Sequence, residues 1–450
     1  MDDKQALFRD APIRQAVRRM AVPSVISSLV LIAYNMADTF FIGQTQDPLQ
    51  VAAVSLTNAV FVIYMALSQL LGIGGSTVIS ILLGRGEADR AKTVSAFCFY
   101  GSLALGVVIG ALILLLMNPL LALLGSREST DDFARSYLLY LALGGPFILL
   151  ANTFGHAVRG EGASRASMIG GLLGTVVNIV LDPILILTLG MGTAGAAIAT
   201  VLGNIAGCAY YIFYLTRKSR FMSLRVSDLR RCGPIAGFVL SVGVPAGTNS
   251  ALMSVAGILL NNALIPYGEA AVAAMGVVNK VYLVVAFVHM GISNGVQPLL
   301  GYCSGAGNRS RFLGVLRHSA VLTVVCGSVL TAFYVLCSRE IVSVFIDDPA
   351  VIAFGSPMLV AASLAGPILG LMFLSINAMQ ALNRPVPATL LSLCRQGLFF
   401  IPLLFLLDHA FGLSGINCTQ TVSDYLTIIL ALVLLLRALR SALPAERRAD

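Results

Sequence analysis

Two acidic side chains lie inside long apolar stretches of this sequence of 450 residues. Asp38 falls three-quarters of the way along the apolar residues 21–43, and Asp182 interrupts a second apolar run at 166–189. A carboxylate in a helix that crosses a bilayer costs roughly 2.5–3.5 kcal/mol to insert, and such residues usually face a protein interior or a watery cavity where they handle ions or protons. The chemistry that these residues suggest is therefore the reversible binding of a small cation.

Oxygen-bearing side chains accompany both acids. Asn178 precedes Asp182 by four residues, so a helix places the two on one face. Thr200 and Asn152 lie in two other apolar segments and add a hydroxyl and an amide. Such oxygens are hard ligands, which suit Na⁺ or a proton better than a transition metal. If Asp38 and Asp182 are close together, they cannot both stay charged without a cation, so Na⁺ held by Asp38, Asn178 and Asp182 and a bound proton are alternatives at one site.

Four further polar residues are candidates for the lining of a substrate cavity. Tyr34 and Asn35 lie four and three residues before Asp38, on the same helical face. Lys280, next to Asn279, is the lone cation that the pattern places inside a span. It could line the cavity, extend its ammonium group to the membrane surface, or pair with an acid.

Each candidate also has a purely structural explanation. An acid such as Asp38 or Asp182 could cap a kinked helix or pair with a buried donor. Asn178, Thr200 and Asn152 could form ordinary hydrogen bonds between helices, as amides and hydroxyls do in membrane bundles. The functional and structural explanations are both open at this point.

The composition identifies a polytopic membrane protein. Hydrophobic residues make up 57% of the chain and charged residues only 11%, against a usual charged share of about 25%. The eight cysteines show no CxxC or zinc spacing, so we expect neither disulfides nor a metal centre. The glycines at 72–75 lie within an apolar run with no strand before them, so we interpret them as packing positions rather than a nucleotide loop. We expect no enzymatic activity and no cofactor other than the Na⁺ or proton bound at the two acids.

Twelve apolar segments indicate twelve membrane-spanning helices. Their approximate bounds are 20–43, 51–83, 93–118, 135–157, 166–189, 194–216, 234–265, 271–303, 316–337, 351–381, 386–408 and 422–437. Residues 1–20 are polar and basic and predict a short interfacial helix ahead of the first span. Because proline cannot donate a backbone hydrogen bond, we expect bends at Pro23, Pro298 and Pro367.

The basic residues predict the orientation of the chain. With the N-terminus inside, 25 of the 29 Lys and Arg residues fall in cytoplasmic segments, as the positive-inside rule requires. We therefore expect a multi-pass membrane protein with both termini in the cytoplasm. The net charge of +8 is then a topology signal, with some attraction to membrane lipid. We expect no nucleic-acid partner.

The two halves of the chain repeat each other at an offset near 222 residues. Val22-Pro23 recurs as Val244-Pro245, and the loop at 84–90 recurs loosely at 305–311. The predicted fold is an all-α membrane protein whose twelve transmembrane helices form two six-helix lobes, related by a pseudo-twofold axis along the membrane normal, around a central cavity. The lobes are expected at 1–216 and 234–450, joined by a cytoplasmic linker at 217–233.

Several motifs resemble one transporter family. They are YNMADTFFIG, GRGEADRA, VNIVLDPILI, GTAGAAIAT and SNGVQPLLGYCSGAG. Over nearly its whole length the chain resembles the multidrug and toxic compound extrusion (MATE) family, and within it the bacterial branch whose acids sit in the N-terminal lobe. The resemblance implies an antiporter that expels amphipathic, often cationic compounds against inward flow of Na⁺ or H⁺ by alternating access.

The resemblance also implies roles for particular residues. Pro23 matches a proline implicated in bending the first helix. The acids that another branch uses in the C-terminal lobe find no counterpart inside the spans here. The positions that match the cation site and its polar neighbours are Asp38, Asn178, Asp182, Thr200 and Asn152.

Two alternative functions belong to other classes. A flippase or exporter for lipid-linked precursors with a related two-lobe fold would need a more basic cavity than Lys280 alone provides. A membrane receptor without transport would not explain the internal duplication or the buried acids. The partners expected for the antiporter are small amphipathic substrates and membrane lipid, and we expect it to act as a monomer.

Overall fold

The regular secondary structure in the described part of the chain is entirely helical. The computed structural model describes residues 3–229 and 232–442. The helices of the first half are α1 (Asp3–Arg9), α2 (Ile13–Gly43), α3 (Pro48–Gly84), α4 (Ala88–Leu115), α5 (Met117–Leu123), α6 (Glu128–Gly160), α7 (Ser164–Asp182), α8 (Gly192–Arg217) and α9 (Val226–Leu229). Those of the second half are α10 (Gly233–Leu264), α11 (Glu269–Gly305), α12 (Arg309–Leu336), α13 (Ser338–Phe345), α14 (Pro349–Ser363), α15 (Gly366–Ala381), α16 (Pro385–Leu393), α17 (Phe400–Phe411) and α18 (Leu413–Ala442).

The helices of membrane-spanning length confirm the expected number of spans. Among the described residues, 11 helices are long and apolar enough to cross a bilayer, and the bent pair α14 and α15 raises the number to 12 when it is counted as one span. The two members of that pair meet at 47°. Pro367 is the second residue of α15, where a helix does not need the missing N–H, so the bend falls beside the proline as predicted.

The start of the first span differs from the prediction. We expected a separate interfacial helix within residues 1–20, but α2 begins at Ile13 and continues without a break to Gly43. Only the short α1 precedes it. Ala16 and Val17 are fully buried by packing, which explains why the basic stretch joins the spanning helix instead of lying on the membrane surface. Pro23 lies inside this continuous helix.

Tertiary contacts divide the chain into two compact units. The first unit contains Ile26–Gly243, and the second contains Ala6–Val25 together with the chain from Val244 onward. The helix α2 therefore contributes its first part to the second unit and its remainder to the first. The change of unit falls just after Pro23.

Each unit has one helix that packs against at least three others. In the first unit, α6 packs against α3, α4 and α8, and in the second unit α15 packs against α11, α12 and α18. Glycine permits close helix contact in the first unit, where a Cβ atom at Gly74 of α3 would lie 2.2 Å from the carbonyl oxygen of Val239 in α10. This contact confirms that the glycines at 72–75 serve packing.

Candidate ion-binding site

The helices α7 and α8 position most of the predicted site. They cross where Gly174 and Gly203 face each other, and a Cβ atom on Gly203 would lie 2.6 Å from the carbonyl oxygen of Gly174. The same point on α8 is close to the Cβ atom of Asn178. Because both crossing residues are glycines, the backbones approach closely enough to bury the next turn of α7 against α8.

Asp182 stands where α7 changes to a wider helical turn. The segment Pro183–Thr188 that follows is a π-helix. Proline cannot donate to the preceding turn, which fits the change of hydrogen-bond register at this position. Single π-turns within α-helices are frequent at functional sites.

Asn178 and Asp182 form one buried polar pair on α7. The amide nitrogen of Asn178 donates to Oδ1 of Asp182 at 3.3 Å. The side chains are 1% and 0% exposed. Within the described residues, Oδ2 of Asp182 and the amide oxygen of Asn178 are buried and receive no hydrogen bond. Buried acceptors without donors are rare in native proteins and call for an explanation such as a bound ion.

Asp38 of α2 adds a third such acceptor. Its Oδ1 atom is buried and has no hydrogen-bond partner in the described part of the chain. Asp38 is also close enough to Asp182 for the two carboxylates to interact electrostatically. Two carboxylates and one amide oxygen thus each present a buried acceptor without a donor among the described residues, and burying such groups unpaired is costly. The structure thus brings together Asp38, Asn178 and Asp182, the three residues predicted to hold Na⁺.

A hydrogen bond between Tyr34 and Thr200 lies beside these acids. The phenol oxygen of Tyr34 is 3.1 Å from Oγ1 of Thr200, and either group can donate. This bond joins α2 to α8. Tyr34 interacts electrostatically with both Asp38 and Asp182, so a residue predicted to line a substrate cavity belongs to the acidic cluster.

Tyr137 of α6 is a neighbour that the sequence analysis missed. Its side chain is buried, and it interacts electrostatically with Asp38, Tyr34 and Asp182. A phenol inside an apolar span was the available signal, but nothing in the spacing along the chain linked it to the acids. Tyr137 is thus a second buried phenol of the first unit within electrostatic range of the acids.

Two predicted amides use their nitrogen within their own helices. The Asn152 amide nitrogen donates to the carbonyl oxygen of Ile148 at 2.9 Å. The Asn35 amide nitrogen donates to the carbonyl oxygen of Leu31 at 2.9 Å, and its side chain is exposed. These bonds bend the amides back along α6 and α2. The described contacts do not join either amide to the carboxylates.

Asn279 and Lys280 lie on α11 in the second unit. Both side chains are exposed. Among the described residues, neither side chain has a hydrogen bond or an ion pair with a protein group. Their assignment to a substrate cavity stays a prediction.

The second unit holds a buried ion pair that contradicts two expectations. Nε of Arg395 is 2.8 Å from Oδ1 of Asp424, and the two side chains are 3% and 1% exposed. Arg395 lies in the π-helical turn Cys394–Leu398 between α16 and α17, so Lys280 is not the lone cation inside a span. Asp424 lies well inside α18, so the spans contain an acid beyond Asp38 and Asp182.

Solved structures share this fold. One is an outward-facing conformation of a multidrug resistance MATE family transporter of the MOP superfamily. It superimposes with a TM-score of 0.93 at 23% identity, covering 98% of this chain and 99% of the other. This fold defines the chain as a polytopic membrane protein of helical bundles.

The family follows from a match that occurs twice. The MatE family model matches residues 23–184 and again 245–406, and the second match is displaced from the first by the 222 residues of the internal repeat. The chain belongs to the multidrug and toxic compound extrusion (MATE) family, whose members are transporters and not enzymes.

Curated relatives match over the full length. The "Multidrug export protein MepA" of Staphylococcus saprophyticus is 31% identical over 99% of this chain and 98% of its own length. The protein of the same name from Staphylococcus aureus is 30% identical over 96% of both chains. The chain is thus similar to bacterial multidrug exporters from end to end.

Proposed function

We propose that this protein is a multidrug efflux antiporter, which exports amphipathic, often cationic compounds in exchange for inward movement of Na⁺ or H⁺. The observation that carries the proposal is the set of buried acceptors at Asp38, Asn178 and Asp182 that have no donor among the described residues. Family membership and the full-length similarity to multidrug exporters support the direction of transport and the substrate class.

The mechanism couples ion binding to the conformation of α2, the first membrane-spanning helix. A cation at Asp38 and Asp182 neutralises the cluster and draws α2 toward α7, which changes the conformation of α2 and favours release of substrate outward. Release of the ion inward resets the transporter. Each ligand shifts the balance of conformations only by the difference in its affinity for the two states. Pro23, inside α2 and close to the change of unit, is the proposed hinge of this helix.

The fold halves and the membrane orientation are part of the proposal. We assign the transport lobes to 1–216 and 234–450 with the linker 217–233 in the cytoplasm. The distribution of Lys and Arg supports both termini inside, and the similarity to bacterial exporters supports a bacterial inner membrane location. We propose that one chain is sufficient for transport.

The buried Arg395 does not favour export of lipid-linked precursors. Such substrates carry phosphate, which would need unpaired cationic groups in the transport path. The guanidinium group of Arg395 is paired with Asp424 at 2.8 Å, and it therefore offers no free charge for an anion. The acidic cluster of the first unit also favours a cationic ligand.

The test is substrate efflux in proteoliposomes with Na⁺ and pH gradients imposed separately. We expect one of the two gradients to drive efflux of a cationic dye by the wild-type protein. Asp38→Asn and Asp182→Asn should abolish this coupled efflux, while the exposed Asp132→Asn serves as the matched control and should retain it. Full coupled efflux by both cluster variants at normal membrane levels would contradict the proposal.

A further inference from the structure

Asp424 in the second unit is fully satisfied by groups of the protein. Its Oδ1 accepts from Nε of Arg395 at 2.8 Å and from the amide nitrogen of Gln420 at 2.9 Å. Its Oδ2 accepts from the phenol of Tyr282 at 3.4 Å. Arg395 and Tyr282 are the titratable groups that face Asp424, from the π-turn and from α11. A carboxylate with these three donors needs no further cation.

Arg395 is held in place by its backbone as well as by its side chain. The hydroxyl of Ser423, next to Asp424 on α18, donates to the carbonyl oxygen of Arg395 at 2.6 Å. The guanidinium carbon also lies 5.2 Å from the centre of the Phe373 ring, in the geometry of a cation–π contact. Successive residues of α18 therefore fix the π-turn and the charge that it carries.

The two units place their polar centres on equivalent helices. In the first repeat, Asp182 adjoins a π-turn of the fifth span, which packs against α8, the sixth. In the second repeat, Arg395 lies within a π-turn of the fifth span, which packs against α18, the sixth. The family model matches residues 23–184 and 245–406, so its two matches reach the fifth span of each half and make these two spans counterparts.

The two centres differ in how their negative charge is balanced. In the first unit, Asp38 and Asp182 each have a buried oxygen without a donor in the described chain. In the second unit, an arginine side chain supplies a positive charge that is permanent, since arginine does not lose its proton in proteins. The negative charge of the second centre is thus balanced by a group of the protein, whereas the first centre has acidic oxygens without a donor among the described residues.

We propose that Arg395 is a built-in counter-cation that occupies a latent monovalent-cation site at Asp424, so that the chain couples transport through the first unit alone. This inference rests on the proposed function of the Asp38–Asp182 cluster and extends it to the number of ion sites. The ligand class of the latent site is a proton or Na⁺, because its remaining ligands are a carboxylate, an amide and a phenol oxygen.

Removing the arginine charge should open the latent site. Arg395→Met keeps much of the side-chain length and removes the charge, which leaves Asp424 buried without its cation. An unpaired buried carboxylate is strongly disfavoured, so it must take up a proton or Na⁺. Arg395→Lys retains a positive charge and should not open the site. The double variant Arg395→Met/Asp424→Asn removes both charges.

The first experiment counts bound cations on purified full-length protein. Proton uptake and ²²Na⁺ binding are measured for the wild type and the three variants, together with the infrared band of protonated carboxyl groups. We expect Arg395→Met to bind one cation more per chain than the wild type, as a proton or as Na⁺. Arg395→Lys and the double variant should return to the wild-type number. No additional cation in folded Arg395→Met would overturn the inference.

The second experiment asks whether the pair itself takes part in coupling. The double variant should keep the wild-type ratio of ions to substrate in proteoliposomes, because its first centre is intact. Loss of coupling in the double variant at normal membrane level and unchanged melting temperature would overturn the inference. If Asp38→Asn keeps full coupling, the proposed function fails instead, while the cation count of Arg395→Met remains a separate result.

Discussion

At the scale of single residues, Asn178 and Asn152 differ in the group to which the amide nitrogen donates, and this difference distinguishes a proposed ion ligand from a contact within one helix. Asn178 donates to the carboxylate of Asp182 and keeps its own oxygen buried without a donor in the described chain. Asn152 donates instead to the carbonyl oxygen of Ile148 in its own helix. Hard oxygen ligands are what Na⁺ requires, so only the orientation of Asn178 presents one next to an acid.

The two amides should therefore respond differently to truncation. We expect Asn178→Ala to raise the ion concentration needed for half-maximal efflux by about tenfold, which corresponds to ~1.4 kcal/mol of lost binding. Asn152→Ala should change it by less than about twofold, since its loss removes a bond within one helix. Efflux measured against ion concentration in proteoliposomes tests this. Equal shifts in the two variants would show that Asn152 contributes to the site.

The candidate site was accessible from the sequence because its residues follow rules that act within one helix. The spacing of Asn178 and Asp182 fixes a shared face, and the insertion cost of Asp38 marks it as functional. The bond between Tyr34 and Thr200 and the position of Tyr137 depend on how separate helices cross. Glycines such as Gly203 determine that crossing. The pattern of hydrophobic residues does not indicate which glycine is the contact point.

At the scale of helices, the buried pair of Arg395 and Asp424 is not predicted because the sequence does not define where the last span begins. The last span was expected to start at residue 422, which placed Asp424 at its edge, but α18 begins at Leu413 and carries this acid well inside. Arg395 falls within the predicted span at 386–408, yet the count of 25 cytoplasmic Lys and Arg residues includes it, because positively charged residues usually mark loops. Neither Arg395 nor Asp424 is predicted to be buried on its own, because a buried charge without its partner is strongly destabilising.

The C-terminal end of α1 is bound by an arginine of another helix. Arg311 of α12 donates to the carbonyl oxygens of Phe8 and Ala11, each at 2.7 Å, and to that of Leu7 at 3.3 Å. A cation is favoured at the C-terminal end of a helix, where carbonyl groups lack partners within the helix. The Phe8 ring lies 5.2 Å from the ring of Tyr302. The arginine therefore fixes the segment that leads into α2.

Loss of this contact should loosen the N-terminal segment. Hydrogen bonds to charged groups contribute about 1.5–3 kcal/mol each, so in Arg311→Ala we expect amide exchange over residues 6–12 to accelerate by about tenfold or more. Arg317→Ala is the matched control, because Arg317 is an exposed arginine of the same helix. Hydrogen–deuterium exchange followed by mass spectrometry makes the comparison. Unchanged exchange in Arg311→Ala would mean that packing of Phe8 alone holds the segment.

At the scale of the whole molecule, the charged residues form two groups, one in the loops and one inside the spans. Lys and Arg outnumber Asp and Glu by 29 to 21, and the excess lies in the loops that we assign to the cytoplasm. Inside the spans, the second unit neutralises Asp424 with Arg395, whereas the first unit leaves acidic oxygens for a mobile ion. In the proposed mechanism, the loop charges set the orientation, and the buried charges determine which half responds to the ion.

The orientation gives a prediction for the intact protein in cells. We expect the loop between α3 and α4 to face the cytoplasm and the loop between α5 and α6 to face outward. Arg85 is exposed in the first of these loops, and Glu128 is exposed as the first residue of α6, directly after the second. Each can be replaced by cysteine in a background without the eight native cysteines. A membrane-impermeant maleimide should label Glu128→Cys in intact cells, and Arg85→Cys only after permeabilisation. The reverse pattern would place the positive loops outside and would contradict the predicted orientation.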